Sequence, residues 1–359
     1  PHQLLEGILI AGFATETTVA YIYIRAEFHR TFHILQKALD EAYAAGLFGH
    51  NIMDTPFSME CYIHRGAGAY VCGEETGLIE SLEGKRGWPR IKPPFPAVEG
   101  AFRKPTVVNN VETICCLPHI VERGAEWFGS IGTESSTGPK LYTISGPVNR
   151  PGCYEAPLGL PCRELIYGEE FAQGMIGDKK VKGVIPGGLS VGILSADELD
   201  CRLDFDDVRQ YGLLGLGTAG AIVINEDSDI RHVLANVARF YAHESCGQCT
   251  QCREGTAWIH KITRRIAAGA GRIEDLDLIE EMTASMGMMP GLSICGLPDG
   301  AVYPIRTIVQ KYRAEFEEHI RAQDAGRVER ELRRINRAVY ELPILGQNVD
   351  RPGAAVTAT

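Results

Sequence analysis

Three cysteines with two residues between neighbours stand in Cys246-Gly247-Gln248-Cys249-Thr250-Gln251-Cys252, and a lone Cys295 follows downstream. Three thiolates at that spacing can face one small object. A fourth must close the site, so the fold has to carry residue 295 back to residue 246. C-x2-C-x2-C with a remote cysteine is a thiolate pattern for a cubane 4Fe-4S cluster, which moves one electron at a time. Two other readings stay open on spacing alone. Structural zinc also takes four cysteines, though more often as paired C-x2-C knuckles. Disulfides are the third, but cysteines three positions apart are poor partners, and eleven cysteines leave one over.

At 359 residues the chain is expected to hold two or three domains. A hydrophobic fraction of 45% supports a sizeable core. The net charge of −10 argues against nucleic acid, whose phosphates need a basic face, and against a polybasic membrane anchor. No apolar run approaches the roughly 18 residues of a membrane span, so no direct membrane insertion is expected. Many thiols without an export signal point to a reducing, cytoplasmic compartment. The sequence opens at Pro1 directly inside an amphipathic pattern (Leu4, Leu5, Ile8, Leu9), which reads as a fragment lacking its N-terminal part.

Residues 1–135 read as α/β. Leu4 to Phe13 is helical, and Val19 to Ile24 is a β-branched and aromatic strand. Phe32, Leu35, Leu39 and Tyr43 recur at helical spacing until Gly46, and Phe57 to His64 alternates as a second strand. Strand, helix, strand favours a parallel pair. Residues 136–226 read as a compact β-rich module. It has a hairpin from Lys140–Ser145 to Gly152–Glu155, a helix at Cys162–Tyr167, and strands at Val181–Ile185 and Ala221–Asn225. Residues 227–345 read as helical. One helix is capped by Asp227 or Ser228 and runs into the cysteines, and another starts at Pro304, a favoured first-turn residue. The tail 346–359 is small and polar and is expected to be disordered.

Gly215-Leu216-Gly217-Thr218-Ala219-Gly220 matches G-x-G-x-x-G, but a strand follows it where a dinucleotide loop needs a helix. A turn into a terminal strand is the better reading. His64-Arg65-Gly66-Ala67-Gly68-Ala69-Tyr70-Val71-Cys72-Gly73-Glu74-Glu75-Thr76 is better placed, after a strand and before a helix at Glu75–Leu82. Its glycines would let the backbone approach a flat ring or a phosphate. Glu74 and Glu75 would repel a phosphate but suit hydroxyls or a ring N–H. They read equally as an acidic first helical turn. Asn109-Asn110-Val111-Glu112-Thr113 is a second helix start, either plainly capped or holding a phosphate. Lys92-Pro93-Pro94-Phe95-Pro96 is a stiff loop with one cation and one ring, or a surface polyproline turn. His64, His243 and the Cys115-Cys116 pair read as structural.

Together, Arg65 to Thr76, Lys92 to Pro96, Asn109 to Thr113 and Glu244-Ser245-Cys246-Gly247-Gln248-Cys249 occur in an order that resembles the NADH-oxidising flavoprotein subunits of bacterial respiratory complex I, the NADH:quinone oxidoreductase. The resemblance runs to about residue 325. It implies a partial FMN-binding α/β domain, a ubiquitin-like β-grasp (SLBB-like) module, and a C-terminal helical iron-sulfur domain. It also implies FMN, a 4Fe-4S cluster and NAD(H). Carried onto this chain, Gly68, Tyr70, Gly73, Glu74, Glu75 and Thr76 would line FMN and NADH, with Glu75 as the carboxylate at the reaction centre. Lys92 and Phe95 would contact NADH, and Asn109, Asn110 and Thr113 would hold the flavin's phosphate end. Cys246, Cys249, Cys252 and Cys295 would ligate iron, which favours the cluster over zinc.

The family's earlier glycine-rich loop and acidic segment precede the point where this sequence opens, so part of the pocket is expected to be missing. Gln251 stands where the family usually has proline, a change in loop stiffness and not in ligation. Arg253 would tune the cluster potential. The partners implied are a 2Fe-2S thioredoxin-like subunit and a large iron-sulfur subunit, at the cytoplasmic, inner face of the cell membrane. The alternatives are the diaphorase subunit of an NAD-dependent formate dehydrogenase or NAD-reducing hydrogenase, and a cluster-binding scaffold without flavin.

Overall fold

The computed structural model describes residues 1–287 and 291–323, with 326, 328–330 and 333 beyond them. The expected disordered tail lies outside these residues. The first part of the chain builds α1 (His2–Ala14), β1 (Val19–Ile24), α2 (His29–Ala44), β2 (Glu60–Arg65), α3 (Glu75–Leu82), α4 (Val111–Arg123) and the short α5 (Ala125–Gly129). β1 and β2 pair in parallel from Val19↔Glu60 to Ile24↔Arg65, with α2 in the connection. Leu4 and Leu5 of α1, Leu35 and Leu39 of α2, Ile22, Cys61 and Ile114 form one apolar core.

The middle part comprises β3 (Pro139–Ser145), β4 (Gly152–Pro157), β5 (Leu160–Pro161), α6 (Cys162–Tyr167), β6 (Val181–Ile185), β7 (Leu194–Ser195), β8 (Arg202–Leu203), α7 (Asp207–Gln210) and β9 (Gly220–Asn225). Five of these strands form a mixed sheet in the order β4-β3-β9-β6-β7. β3 and β4 make the expected antiparallel hairpin, while β3 lies parallel to β9. The glycine-rich decoy leads into β9, so it is a turn and opens no helix.

The last part is helical: α8 (Ile230–Glu244), α9 (Thr250–Ala267), α10 (Ile273–Met286), α11 (Leu297–Lys311) and α12 (Arg313–Arg321). Two expectations need correcting. Asp229, not Asp227 or Ser228, caps α8, its carboxylate accepting from the Arg231 amide at 2.9 Å. The later helix does not begin at Pro304. It begins at Leu297 with Pro298 in its first turn, and Pro304 sits inside it. The first-turn preference for proline is met by the earlier of the two prolines. The apolar stripe from Ile305 to Ile320 is interrupted near Tyr312, where α11 ends and α12 starts.

The sheet and these helices share one large core, and Val71 and Cys72 belong to it. The segment after β2 therefore packs with the later domains, apart from the α/β core that precedes it. Across the same junction Glu112 accepts from the Leu141 amide at 2.7 Å and pairs with Lys140, tying the start of α4 to β3.

Candidate functional site

The four cysteines come from three places. Cys246 and Cys249 lie in the loop between α8 and α9, Cys252 lies in the first turn of α9, and Cys295 lies just before α11. Each of the eleven cysteines is a free thiol, which removes the disulfide reading. Burial pushes the Cys252 thiol up, Ser245 opposes this, and the charges of Cys295, Cys246 and Cys249 add to it, for a result of about 11. Cys295 is likewise raised, by burial first and by Cys246 and Cys249 after the opposing Leu297 amide. Ionised together, four such sulfurs would repel one another, so a cationic centre would have to stand between them. Among the described residues no group of three or more His, Cys, Asp or Glu side chains is placed to hold a metal ion. The donor set is sulfur only, and it already carries hydrogen bonds to sulfur. The Ile294 amide donates to Cys249 Sγ at 3.4 Å, and Ser245 Oγ lies 3.3 Å from Cys252 Sγ. Thiolate ligands held this way fit an iron-sulfur cluster. Arg253 donates to the Gly247 carbonyl at 2.7 Å and pairs with Glu254, so it braces the loop.

On the other side, Tyr70–Gly73 forms a single 3-10 turn and α3 follows. Glu74 caps α3: its Oε2 accepts from the Thr76 and Gly77 amides, both at 2.8 Å, and from Thr76 Oγ1 at 2.5 Å. Its Oε1 accepts from Lys92 Nζ at 3.0 Å, and the same ammonium pairs with Glu75. Burial pushes the Glu74 carboxyl up, but Thr76, the Gly77 amide and Lys92 together hold it below the usual carboxylate range. Burial lowers Lys92, but Glu75 and Glu74 raise it further than that. Glu74 therefore caps the helix and also holds Lys92. Capping uses one oxygen, and Lys92 holds the other.

These residues and the segment before α11 that carries Cys295 face a common cleft of about 650 Å³, lined by Glu74, Glu75, Lys92, Ser293 and Cys295 among others. Gly73 has no atom within 4 Å of where a Cβ would stand, so its backbone faces open space that a flat ligand can approach. Tyr70 and Phe95 are exposed, at 41% and 58%. Neither is part of the cleft lining, and nor is Gly68, which takes a φ of +87°. Asn109, Asn110 and Thr113 stand apart at the start of α4, where Asn110 Oδ1 caps the Thr113 amide at 3.0 Å. His64 stacks on Tyr23, and His243 is exposed.

The loop carrying Lys92 and Phe95 has cis bonds before Pro93 and Pro94 and is clamped to α3 by Arg90. That guanidinium reaches Glu80 at 2.5 Å, Glu83 at 2.9 Å and the Gly100 carbonyl at 2.9 Å. Burial raises the Glu83 carboxyl, but Lys85, Arg90 and the Phe102 amide bring it down to about 2, from an ordinary 4.5. A depressed carboxylate contributes stability above its unfolded pKa and loses it as pH falls through the folded one. Glu83 should therefore contribute on the order of 2 kcal/mol above about pH 4.5, fading toward pH 2. Urea midpoints measured between pH 6 and 3 check this: Glu83→Gln is expected to start lower and decline less steeply than the parent.

Residues 1–119 match the Nuo51 FMN-binding domain, 141–168 match the SLBB domain, and 232–319 match the NADH-ubiquinone oxidoreductase-F iron-sulfur binding region. An F-type NADH-quinone oxidoreductase polypeptide of Rhizobium meliloti is 46% identical over 320 residues, which cover 89% of this chain and 75% of that one. The chain belongs to the F-type flavoprotein family of NADH-quinone oxidoreductases. Another relative is the mitochondrial NADH dehydrogenase [ubiquinone] flavoprotein 1 of Dictyostelium discoideum, 48% identical over 89% of this chain. The chain spans 66% of that relative's length. An air-oxidised NAD+-reducing [NiFe]-hydrogenase has a similar structure, with a TM-score of 0.78 at 35% identity over 89% of this chain and 52% of that one. As in the F-type flavoproteins, an FMN-binding α/β segment is followed by an SLBB module and a helical 4Fe-4S region.

Several contributors to the flavoprotein's site escaped the sequence reading. The Ile294 amide and the cleft residues Leu214 and Tyr303 carry no spacing signal, and Ser245, although it stands in the Glu244–Cys249 motif, carries none of its own. Glu244 did carry one, an acid at the C-terminal end of a helix, where the helix dipole disfavours it.

Proposed function

We propose that the chain is the electron-input subunit of an NADH:quinone oxidoreductase, taking hydride from NADH onto FMN and passing single electrons to a 4Fe-4S cluster and on to partner subunits. The observation that carries this reading is the shared cleft, where the Glu74, Glu75 and Lys92 group faces Cys295 across one space. Bound FMN would supply the ability to take two electrons together and release them singly. The chain's own residues bind and orient. Cys246, Cys249, Cys252 and Cys295 hold the cluster. Gly68, Tyr70 and Gly73 shape the approach to the flavin, and the buried Thr76 supports that wall from behind by donating to Glu74. Glu75 sits at the reaction centre, where it orients the dinucleotide as a hydrogen-bond acceptor together with Glu74, Lys92 and Phe95. Asn109, Asn110 and Thr113 offer a helix start to the flavin's phosphate end. No general acid or base is assigned, because hydride transfer needs none.

The finer partners we propose are a 2Fe-2S thioredoxin-like subunit and a large iron-sulfur subunit, in an arm peripheral to the inner face of the membrane. Among the described residues no helix is long and apolar enough to cross a bilayer. The likeness to the NAD+-reducing hydrogenase supports a second reading, as the diaphorase subunit of such an enzyme or of an NAD-dependent formate dehydrogenase. The higher identity to the quinone oxidoreductase polypeptides, 46% against 35%, favours the first. NADH oxidation with an artificial acceptor tests the core of both readings, and a flavin-loaded preparation with no such activity would contradict it.

The cluster side yields its own prediction. A ligating thiolate carries no proton, so Ser245 must donate to Cys252. One hydrogen bond of about 1 kcal/mol corresponds to roughly 40 mV for a one-electron couple. Ser245→Ala is therefore expected to shift the cluster potential negative by that order, read by EPR-monitored redox titration.

A further inference from the structure

Glu244 is the last residue of α8, where the helix dipole disfavours a carboxylate. Its compensation comes from far along the chain: Oε2 accepts from the Tyr70 backbone N–H at 3.1 Å. That amide opens the 3-10 turn Tyr70–Gly73, and Ala69 before it offers no side chain to cap it. Glu244 therefore caps, from another domain, the turn that ends at Gly73 and Glu74. The Tyr70 ring is held at the same place, edge-on to Phe240 at 5.1 Å and to Tyr241 at 6.2 Å. Val71 and Cys72 then enter the large core. In the other direction, the chain after Glu244 runs straight to Ser245, which contacts Cys252, and to Cys246. One carboxylate thus joins the flavin-side turn to the cluster loop, and it does not line the cleft that Glu74 and Cys295 share.

We propose that Glu244 is a positioning residue for the electron step between flavin and cluster, setting the spacing of the 70–74 turn against the 245–249 loop. The inference rests on the functional reading above. It bears mainly on the second half of the reaction: Glu244 holds the Tyr70 amide at the start of the turn, while Glu74 and Glu75, on the hydride side, are held separately by the α3 amides and by Lys92.

The test uses the holoprotein in its complex, mixed rapidly with NADH, with flavin bleaching followed optically and cluster reduction by freeze-quench EPR. Amide exchange across 66–74 is measured in parallel. In Glu244→Ala, flavin and iron content and the bleaching rate should stay near wild type, exchange at Tyr70 should rise, and cluster reduction should slow roughly tenfold, as for a small misplacement of reacting groups. Glu244→Gln keeps an acceptor oxygen and should restore most of the rate. If Glu244→Ala does not load its cofactors, Glu244→Asp, one methylene shorter, should give the same split in smaller measure. Faster exchange at Tyr70 with an unchanged rate of cluster reduction would overturn the proposal. So would equal slowing of both steps. Wild-type protein lacking flavin or cluster would instead overturn the functional reading on which it rests.

Discussion

Cys295→Ser is expected to abolish the four-iron cluster and to cut transfer of NADH electrons to cluster-linked acceptors by about a hundredfold or more, since even loss of a supporting contact costs roughly 10- to 100-fold. Cys295 comes from the segment before α11, on the far side of two helices from the Cys246–Cys252 triplet, and its sulfur lies within electrostatic reach of Cys246 and Cys249. A serine hydroxyl there is harder and far less acidic than a thiol, so it does not replace a thiolate toward iron. Iron and sulfide content with low-temperature EPR of the reduced protein provides the check, and bleaching of flavin by NADH should persist. Cys153→Ser, at an exposed cysteine with no ligand spacing, is the control and should change nothing. A Cys295→Ser protein that kept a full four-iron signal would remove Cys295 from the ligand set.

The largest stability effect is expected at Gly187. A Cβ there would stand 1.7 Å from the Leu216 carbonyl oxygen, a backbone atom that cannot rotate away. Gly217 meets the same contact from the other side: its φ is +59°, and a Cβ on it would lie 2.4 Å from the Gly187 oxygen. The two glycine loops thus pass backbone against backbone, and the Thr218 amide donates to Gly187 at 3.0 Å. Overpacking commonly costs about 1–3 kcal/mol, and a clash with fixed backbone belongs at the upper end, so Gly187→Ala is expected to lose roughly 3 kcal/mol. Urea unfolding measures it, and an unchanged midpoint would show that the loops separate freely. This contact also accounts for part of the G-x-G-x-x-G pattern at 215–220: Gly217 serves close backbone approach, with no nucleotide involved.

Much of the fold was legible because local chemistry and tertiary structure agree. The β-branched run at Val19–Ile24 is a strand, Glu75–Leu82 is a helix, and Cys162–Tyr167 is a helix, each at the expected residues. Boundaries failed where two signals competed. Asp227, Ser228 and Asp229 are three adjacent capping residues, but Asp227 pairs with Lys179 and Ser228 donates to Asn225, which leaves Asp229 at the helix start. Pro298 and Pro304 can both start a helix, and the chain uses the first. The helices α9 and α10 were not separately foreseen, although Ile259, Ile262 and Ile266 of α9 are among the buried residues of the large core.

At the site, the cysteine set could be proposed from the sequence because ligand spacing is local for three of the four. The link between Glu244 and Tyr70 was not, because it joins residues 174 positions apart. Glu74 shows the same limit in another form. From the sequence it reads either as a helix-start acid or as a ligand acceptor, and the structure gives its two oxygens different partners, the α3 amides and Lys92.

The measurement that tests the central claim most directly is the iron, acid-labile sulfide, zinc and flavin content of anaerobically purified holoprotein. About four irons, four sulfides and one FMN per chain, with negligible zinc, is the result predicted for a four-thiolate cubane site beside a flavin. Zinc in place of iron, with neither sulfide nor flavin, would contradict both the cofactors and the electron-transfer function assigned to the cleft between Glu75 and Cys295.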